Sequence, residues 1–326
     1  MVTVTHQCTV KGMELLRDLA GLKMQRDAPL RDYTRFGLGG SADWLVDADD
    51  EAEFVEAWQR LRTAGVRTEV IGGGSNLVVS DDGFRGVVLR FTGAELREEG
   101  TTVWAGAGSV LQDLVDFTIG LGLSGIHTMT GVPGWTGGAV YGNAGAYGRS
   151  IDQSVARVRF FDGVEVREMG NAECRFRYRD STFKDNKGWI VFRAELELLR
   201  GNAAELRTRA DEIRSVRDAK YPPTMKCAGS IFKNLLLAEL PESVQSVVDP
   251  KVVREGKMPS AWFLEQVGAK GIRNGGIHVA DYHANLIYNA GNGTALQVRE
   301  VIDDLKARVR DRFGFGIEEE VQYVGM

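Results

Sequence analysis

EVIGGGSNLVVS, residues 69–80, sets three successive glycines between two apolar runs of strand length. Both flanks are rich in β-branched residues, so the glycine turn joins strand to strand rather than strand to helix. Toward the N-terminus, residues 51–64 place Phe54, Val55, Trp58 and Leu61 on one helical face, and Gly65 ends that helix. Before it, residues 33–46 (YTRFGLGGSADWLV) read as strand, glycine turn and second strand. Toward the C-terminus, residues 87–91 (VVLRF) supply another strand. The order β-β-α-β-β predicts a small α/β unit, not a long doubly wound sheet.

A second unit begins near Thr102. Leu111, Leu114, Val115, Thr118 and Ile119 fall at helical spacing over residues 111–121, and a glycine-rich block, 131–148, follows. Residues 155–169 (VARVRFFDGVEVREM) read as a hairpin around Asp162-Gly163, a pair favoured in type I′ turns. Residues 189–199 form another strand. Asn202 caps a helix that runs to about Ala219 and stops before Pro222-Pro223, the best domain boundary in the chain. Beyond it the sequence predicts a short helix over 260–267 and a strand near 284–289. A long helix follows, opened by a capping box of Thr294 and Gln297 and closed at Gly314, and a final strand spans 320–324. The expected class is α+β, with subdomains 1–91 and 92–221 and a C-terminal domain 222–326.

Composition narrows the function. The chain has 326 residues, 43% hydrophobic and 26% charged, enough to bury a core without staples. A net charge of -5 offers no general attraction to nucleic acid or anionic membrane, so an anionic ligand must be held by a few placed groups. Cys8, Cys174 and Cys227 form no CxxC pair, and free thiols fit a reducing compartment. His6, His127, His278 and His283 show no metal spacing, so no metal is expected. The N-terminus lacks a basic head with an apolar stretch behind it, and no run of about 18 apolar residues occurs. A soluble cytoplasmic protein is expected, monomeric and without nucleic-acid or membrane partners.

Glycine is over-represented, 40 residues gathered in a few stretches. Gly37-Leu38-Gly39-Gly40-Ser41-Ala42 fits GxGxxA but lies between strands, so it is not the dinucleotide fingerprint. Gly72-Gly73-Gly74-Ser75-Asn76-Leu77 lacks the last glycine and runs into strand. Gly131 to Ala139 (GVPGWTGGA) has no Lys-Ser/Thr ending and is no Walker loop. Such loops can bind pyrophosphate through successive backbone N–H groups, or they can simply be the turns of a loop-rich fold. Three of them on one chain favour a dinucleotide-like cofactor.

GGGSNLVV (72–79) followed by GVPGWTGGAVYGNAGAYG (131–148) resembles the FAD-binding domain of the UDP-N-acetylenolpyruvoylglucosamine reductase family. CRFRYRDSTFK (174–184), AGSIFKN (228–234) and EEEVQYVG (318–325) resemble that family's catalytic segments, in its order. The resemblance runs from about Tyr33 to Val324. It implies a vanillyl-alcohol-oxidase-type FAD fold of two α/β subdomains, with a C-terminal substrate domain and without the extra substrate-capping insertion of longer members. The implied ligands are FAD, NADPH and UDP-N-acetylglucosamine enolpyruvate, on the route to peptidoglycan precursors.

Ser230 is implied as the general acid, with Arg179 and Glu320 holding and polarising the enolpyruvyl group. Lys233, Asn234 and Asn285 are implied to contact substrate. Tyr33, the run Ile71, Gly72, Gly73, Gly74, Ser75, Asn76 and Leu77, and the run Gly131, Val132, Pro133, Gly134, Gly137, Gly138 and Ala139 are implied to line the flavin. So are Asn143, Ala144, Gly145, Ala146 and Tyr147. The residue types suit the reaction. Hydride arriving at the vinyl carbon leaves charge that spreads into the carboxylate, and a guanidinium is planar, cationic and bidentate. A positioned serine hydroxyl can protonate the resulting enolate.

Each residue also has an ordinary reading: Arg179 paired with Asp180, Ser230 in a turn, Glu320 in a solvated acidic triplet. Trp135 stands where the family has a small residue, His127 where it has glutamate, and Leu235 where it has proline. The last segment is also short before Glu320, which leaves Glu319 as a rival; strand alternation favours Glu320. Two other functions remain open on the residues alone, a flavin oxidase of another alcohol or hydroxy acid and a nucleotide-sensing module without catalysis.

Overall fold

A computed structural model describes residues 14–246 and 248–326; His6, Cys8 and the N-terminal stretch read for a leader lie outside them. Contacts divide the chain into two units. The first comprises residues up to Ala28, Ala42–Gly74 and Arg85–Pro223, the second Pro29–Ser41, Ser75–Phe84 and Thr224–Met326.

Besides two two-stranded sheets, the first unit holds two larger ones. One has the order β1 (Lys23–Pro29), β2 (Ser41–Ala48), β5 (Phe84–Phe91), β3 (Thr68–Val70); β4 (Leu77–Val79) belongs to the second unit. The other is built of β6 (Leu96–Glu99), β7 (Thr102–Gly106), β8 (Val155–Phe161), β9 (Val166–Gly170) and β10 (Ile190–Glu197), in the antiparallel order β9-β8-β10-β7-β6. Helix α1 (Glu51–Thr63) starts at Asp50, whose carboxylate accepts from the Ala52 and Glu53 amides at 2.9 and 3.0 Å. Its face of Phe54, Ala57, Trp58 and Leu61 is buried. Phe54 packs edge-on against Phe91 of the first sheet and Phe192 of the second, at centroid distances of 6.0 and 5.5 Å. Residues of 1–91 and 92–221 therefore share one hydrophobic core. Helices α2 (Leu111–Gly120), α3 (Thr136–Tyr141) and α4 (Ala203–Lys220) complete the unit, α4 capped by Asn202.

The second unit carries a sheet of order β11 (Lys226–Ser230), β14 (His283–Asn289), β13 (Ile277–Ala280), β12 (Arg273–Asn274). Helices α5 (Ser260–Gln266) and α6 (Ala295–Phe313) pack on it around Phe263, Leu264, Ile287, Val298 and Ile302. Helix α6 has the capping box of Thr294 and Gln297 and ends at Gly314, left-handed at φ 76°. Asp81 adds to the cap, accepting from the Ala295 and Leu296 amides at 2.9 and 3.1 Å. The last strand, β15 (Gln322–Val324), pairs in parallel with β4.

Three local expectations are corrected. Residues 33–40 are not strand: Leu30–Tyr33 is a 3-10 turn, and the Thr34 hydroxyl donates to the Leu38 carbonyl at 3.2 Å, which folds the stretch on itself. The hairpin closes at Phe161↔Val166, not in a two-residue turn, because Asp162 accepts from the Val164 and Glu165 amides, both at 2.9 Å. The final strand begins at Gln322, because Glu319 and Glu320 are paired to the Ile231–Phe232 main chain instead.

Asp81→Ala removes two helix-terminal hydrogen bonds and a carboxylate at the positive end of α6. It is expected to lower unfolding stability by about 1 kcal/mol. A urea midpoint equal to that of the unsubstituted protein would show that the carboxylate does not hold the helix.

Candidate active site

The first glycine loop is open on one side and packed on the other. A Cβ at Gly72 would meet nothing within 4 Å, whereas one at Gly73 would lie 2.8 Å from the Trp135 ring. Trp135 therefore occupies room that a glycine opposite it leaves free. The Arg90 guanidinium sits 5.3 Å over its ring and is itself held by Asp47 through bonds of 2.7 and 2.6 Å. The bulky residue at this position is thus built into the loop rather than crowding it.

In the second loop the protein uses many of the amides itself. The N–H groups of Val132, Thr136, Gly137 and Ala139 donate to the carbonyls of Met129, Ser109, Ala107 and Trp135. The Gly131 N–H donates to Gln112 Oε1 at 2.7 Å, so it is not a donor for phosphate. Gly138 is exposed, and a Cβ there would meet nothing within 4 Å. Gly72 and Gly138 each leave space that no protein atom fills, and this fits a cradle lined by backbone for a flavin dinucleotide.

The third run is strained and tied to the arginine segment. Asn143, Tyr147 and Arg179 all have positive φ, 41°, 53° and 57°. Arg179 Nη2 donates to the Gly145 carbonyl at 2.9 Å, Asn143 Nδ2 to the Arg177 carbonyl at 2.9 Å, and the buried Ser181 hydroxyl to the Tyr141 carbonyl at 2.7 Å. Lys184 Nζ in turn donates to the Arg179 carbonyl at 2.9 Å. Asp180 is paired with Arg177 at 3.1 Å. Ser181 and Lys184 were not singled out from the sequence, although both lie in the quoted 174–184 stretch. Nearby, burial and then the Glu173 charge push the Cys174 thiol up to about 12, which leaves it protonated and inert.

The second unit gathers Ser230, Lys233, Asn234, Asn285 and Glu320. Gly229 at φ 77° lies in a bulge, where Cys227↔Tyr288 gives way to Ser230↔Leu286, and the extra residue turns Ser230 relative to its strand. Beyond Ser230, the Glu320 amide donates to the Ile231 carbonyl at 2.7 Å, and the Lys233 amide to the Glu318 carbonyl at 2.9 Å. Asn76 Nδ2 donates to the Glu320 carbonyl at 2.8 Å, and the Gln322 amide to the Asn76 carbonyl at 3.0 Å. Asn285 is buried, and its side chain bonds both the Phe232 amide and carbonyl at 2.8 Å, so it fixes the main chain beside Ser230. Lys233 Nζ pairs with Glu318 at 2.6 Å, and Asn234 Oδ1 accepts from the Ser260 amide at 3.4 Å.

The rivalry between the two glutamates has a physical outcome. Glu319 pairs with Lys306 of α6 at 2.7 Å. Burial raises its pKa, but the Lys306 hydrogen bond, its own backbone amide and the Lys306 and Arg299 charges outweigh this and hold it below the ordinary range. Glu319 is thereby engaged with α6. Arg179 lies in the first unit and Ser230 and Glu320 in the second; Ile71 to Gly74 lie in the first, Tyr33 and Ser75 to Leu77 in the second. Among the described residues no group of His, Cys, Asp and Glu gathers that could hold a metal ion.

Residues 42–165 match the family described as FAD binding domain, and residues 221–324 match the UDP-N-acetylenolpyruvoylglucosamine reductase C-terminal domain. Over 310 residues the chain is 57% identical to the UDP-N-acetylenolpyruvoylglucosamine reductase of Solibacter usitatus, covering 95% of this chain and 99% of that one. The reductase of Rubrobacter xylanophilus is 36% identical over 301 residues, 92% and 94% of the two chains. The crystal structure of the reductase from Thermus caldophilus superposes with a TM-score of 0.71 at 29% identity, covering 93% of this chain and 98% of that chain.

Two measurements test this geometry. Gly72→Ala and Gly138→Ala each add a methyl group that meets no protein atom within 4 Å. FAD-free protein is expected to be no less stable in either, while FAD affinity falls about tenfold by flavin fluorescence titration. Undiminished affinity in both would mean that neither loop faces the cofactor. For Glu319, a folded pKa below the unfolded one gives stability that is present above about 4.5, the ordinary value, and lost as pH falls through the folded pKa. Glu319→Gln should therefore be less stable at pH 7 by about 1 kcal/mol and converge with the parent protein in acid. A constant difference across that range would rule the ion pair out as its source.

Proposed function

The chain belongs to the UDP-N-acetylenolpyruvoylglucosamine reductase family, and on that premise we propose that Ser230, Arg179 and Glu320 carry the chemistry. The reaction is the reduction of the enolpyruvyl group of UDP-N-acetylglucosamine enolpyruvate to UDP-N-acetylmuramate, with NADPH and through FAD, in peptidoglycan precursor synthesis. FAD, when bound, would supply the hydride chemistry between NADPH and the enolpyruvyl double bond.

The chain's own groups do the rest. Reduction at the terminal vinyl carbon leaves an electron pair on the carbon bearing the carboxylate, and the Ser230 hydroxyl gives its proton to that carbon. Arg179 binds the carboxylate, where its planar guanidinium meets the charge that grows in the transition state. Glu320 orients this pair and returns a proton to the serine. The loops 71–77, 131–139 and 143–147 and Tyr33 hold FAD, and Lys233 and Asn234 meet the substrate. Asn285 acts one step back, through the Phe232 main chain.

The observation that carries the reading is the 2.7 Å bond from the Glu320 amide to the Ile231 carbonyl, which sets the serine and glutamate segments side by side. We take subdomains 1–91 and 92–221 to serve the flavin and 222–326 the substrate, in a cytoplasmic monomer. No helix of the described residues is long and apolar enough to cross a membrane.

Ser230→Ala should bind FAD and be bleached by NADPH at the normal rate. Anaerobic reoxidation by the enolpyruvyl nucleotide should slow by at least about 10²-fold. Normal reoxidation would remove the serine from the mechanism, and slow bleaching would move its role to the NADPH half-reaction.

A further inference from the structure

We propose that Gln112 and Arg217 are positioning residues that clamp the Gly131 peptide units and thereby set the affinity for FAD without contacting it. The inference rests on the reading that the 131–139 loop holds the flavin. Gly131 donates its N–H to Gln112 Oε1 of α2 at 2.7 Å, and its carbonyl accepts from Arg217 Nε of α4 at 2.9 Å. Both polar groups of one loop residue are thus fixed by side chains from two helices.

The clamp is itself braced. Gln112 Nε2 donates to Asp116 at 3.0 Å, which fixes the orientation of the carboxamide so that Oε1 faces Gly131. That oxygen also accepts from Arg214 Nη1 at 3.1 Å and from the Thr130 hydroxyl at 3.3 Å. Asp116 is paired with Arg207, and Arg214 with Asp218 at 3.1 Å. Arg217 lies over the Tyr221 ring at 5.3 Å. Gly131, at φ 73°, is pressed on the arginine stems: a Cβ there would stand 2.9 Å from Arg217 Cδ and 3.1 Å from Arg214 Cδ. A side chain there would be strained by the conformation and would have to push the arginine stems aside.

Helix α4 lies at 203–220, between the two segments matched to families, 42–165 and 221–324. It makes a distant part of the chain responsible for the shape of the flavin loop. A backbone cradle binds only when its amides already point correctly, so a loop released at Gly131 must be ordered again on each binding event.

The test titrates FAD into flavin-free protein, following flavin fluorescence, with the thermal midpoint of the same flavin-free samples as the second readout. Arg217→Met and Gln112→Met should each raise the Kd about tenfold and leave the flavin-free midpoint unchanged. The double variant should be weaker than either single by much less than the product of the two losses, because both hold the same residue. Gly138→Ala serves as the measure of the loop itself. If it weakens FAD while Arg217→Met and Gln112→Met do not, the clamp is wrong and the loop reading stands. If none of the three changes the Kd, both fall. A lowered midpoint with an unchanged Kd, or losses that multiply in the double variant, would also overturn the clamp.

Discussion

The amide of Glu320 donating to the carbonyl of Ile231, at 2.7 Å, is the joint on which the second unit's site depends. It makes two segments almost ninety positions apart into neighbours, and it leaves no freedom in their register. Once Ile231 and Glu320 are paired, Phe232 falls opposite Glu319 and Lys233 opposite Glu318. Asn285 then closes on Phe232 from the sheet side, and Asn76 takes the Glu320 carbonyl. Main-chain bonds with no side-chain freedom are suited to this task. They position the segments that carry Ser230 and Glu320 through backbone groups, whose geometry does not depend on a rotamer.

The first unit solves a different problem with the same means. A chain of net charge -5 gains little from its overall field when it binds an anionic cofactor. It relies on shaped backbone instead, and shaped backbone has a cost. Asn143, Tyr147 and Arg179 sit in left-handed conformations worth roughly 1–3 kcal/mol each in strain. The bonds from Asn143 to Arg177, Arg179 to Gly145 and Ser181 to Tyr141 offset that cost and tie the strained pieces to one another. The ties run between the arginine segment and the glycine run, so neither can relax alone.

Legibility in the sequence followed the range of the interaction. Helix α6 could be read to its ends, because Thr294, Gln297 and Gly314 act within a turn of themselves. The Asn202 cap was legible for the same reason, helix α1 was legible from its apolar face and Gly65, and the five motif stretches pointed to the family now shown by identity along the chain. Residues 33–36 misled, since strand-like composition there is overridden by a threonine hydroxyl and a turn. The Asp162-Gly163 pair misled because the aspartate carboxylate captures two amides and widens the turn. The bonds from Asn285 to Phe232 and from Gly131 to Gln112 have no local sign: the partners are 53 and 19 residues apart, and only the fold brings them together.

The same limit explains why Glu319 and Glu320 could be ranked only weakly from alternation. Alternation presumes a strand, and the strand does not begin until Gln322. What separates the two carboxylates is a lysine on a helix thirteen residues upstream, which engages Glu319 and holds it ionised. An acidic triplet in sequence is therefore three different groups in space: Glu318 salt-bridged to Lys233, Glu319 salt-bridged to Lys306, and Glu320 with its amide bonded to the Ile231 carbonyl.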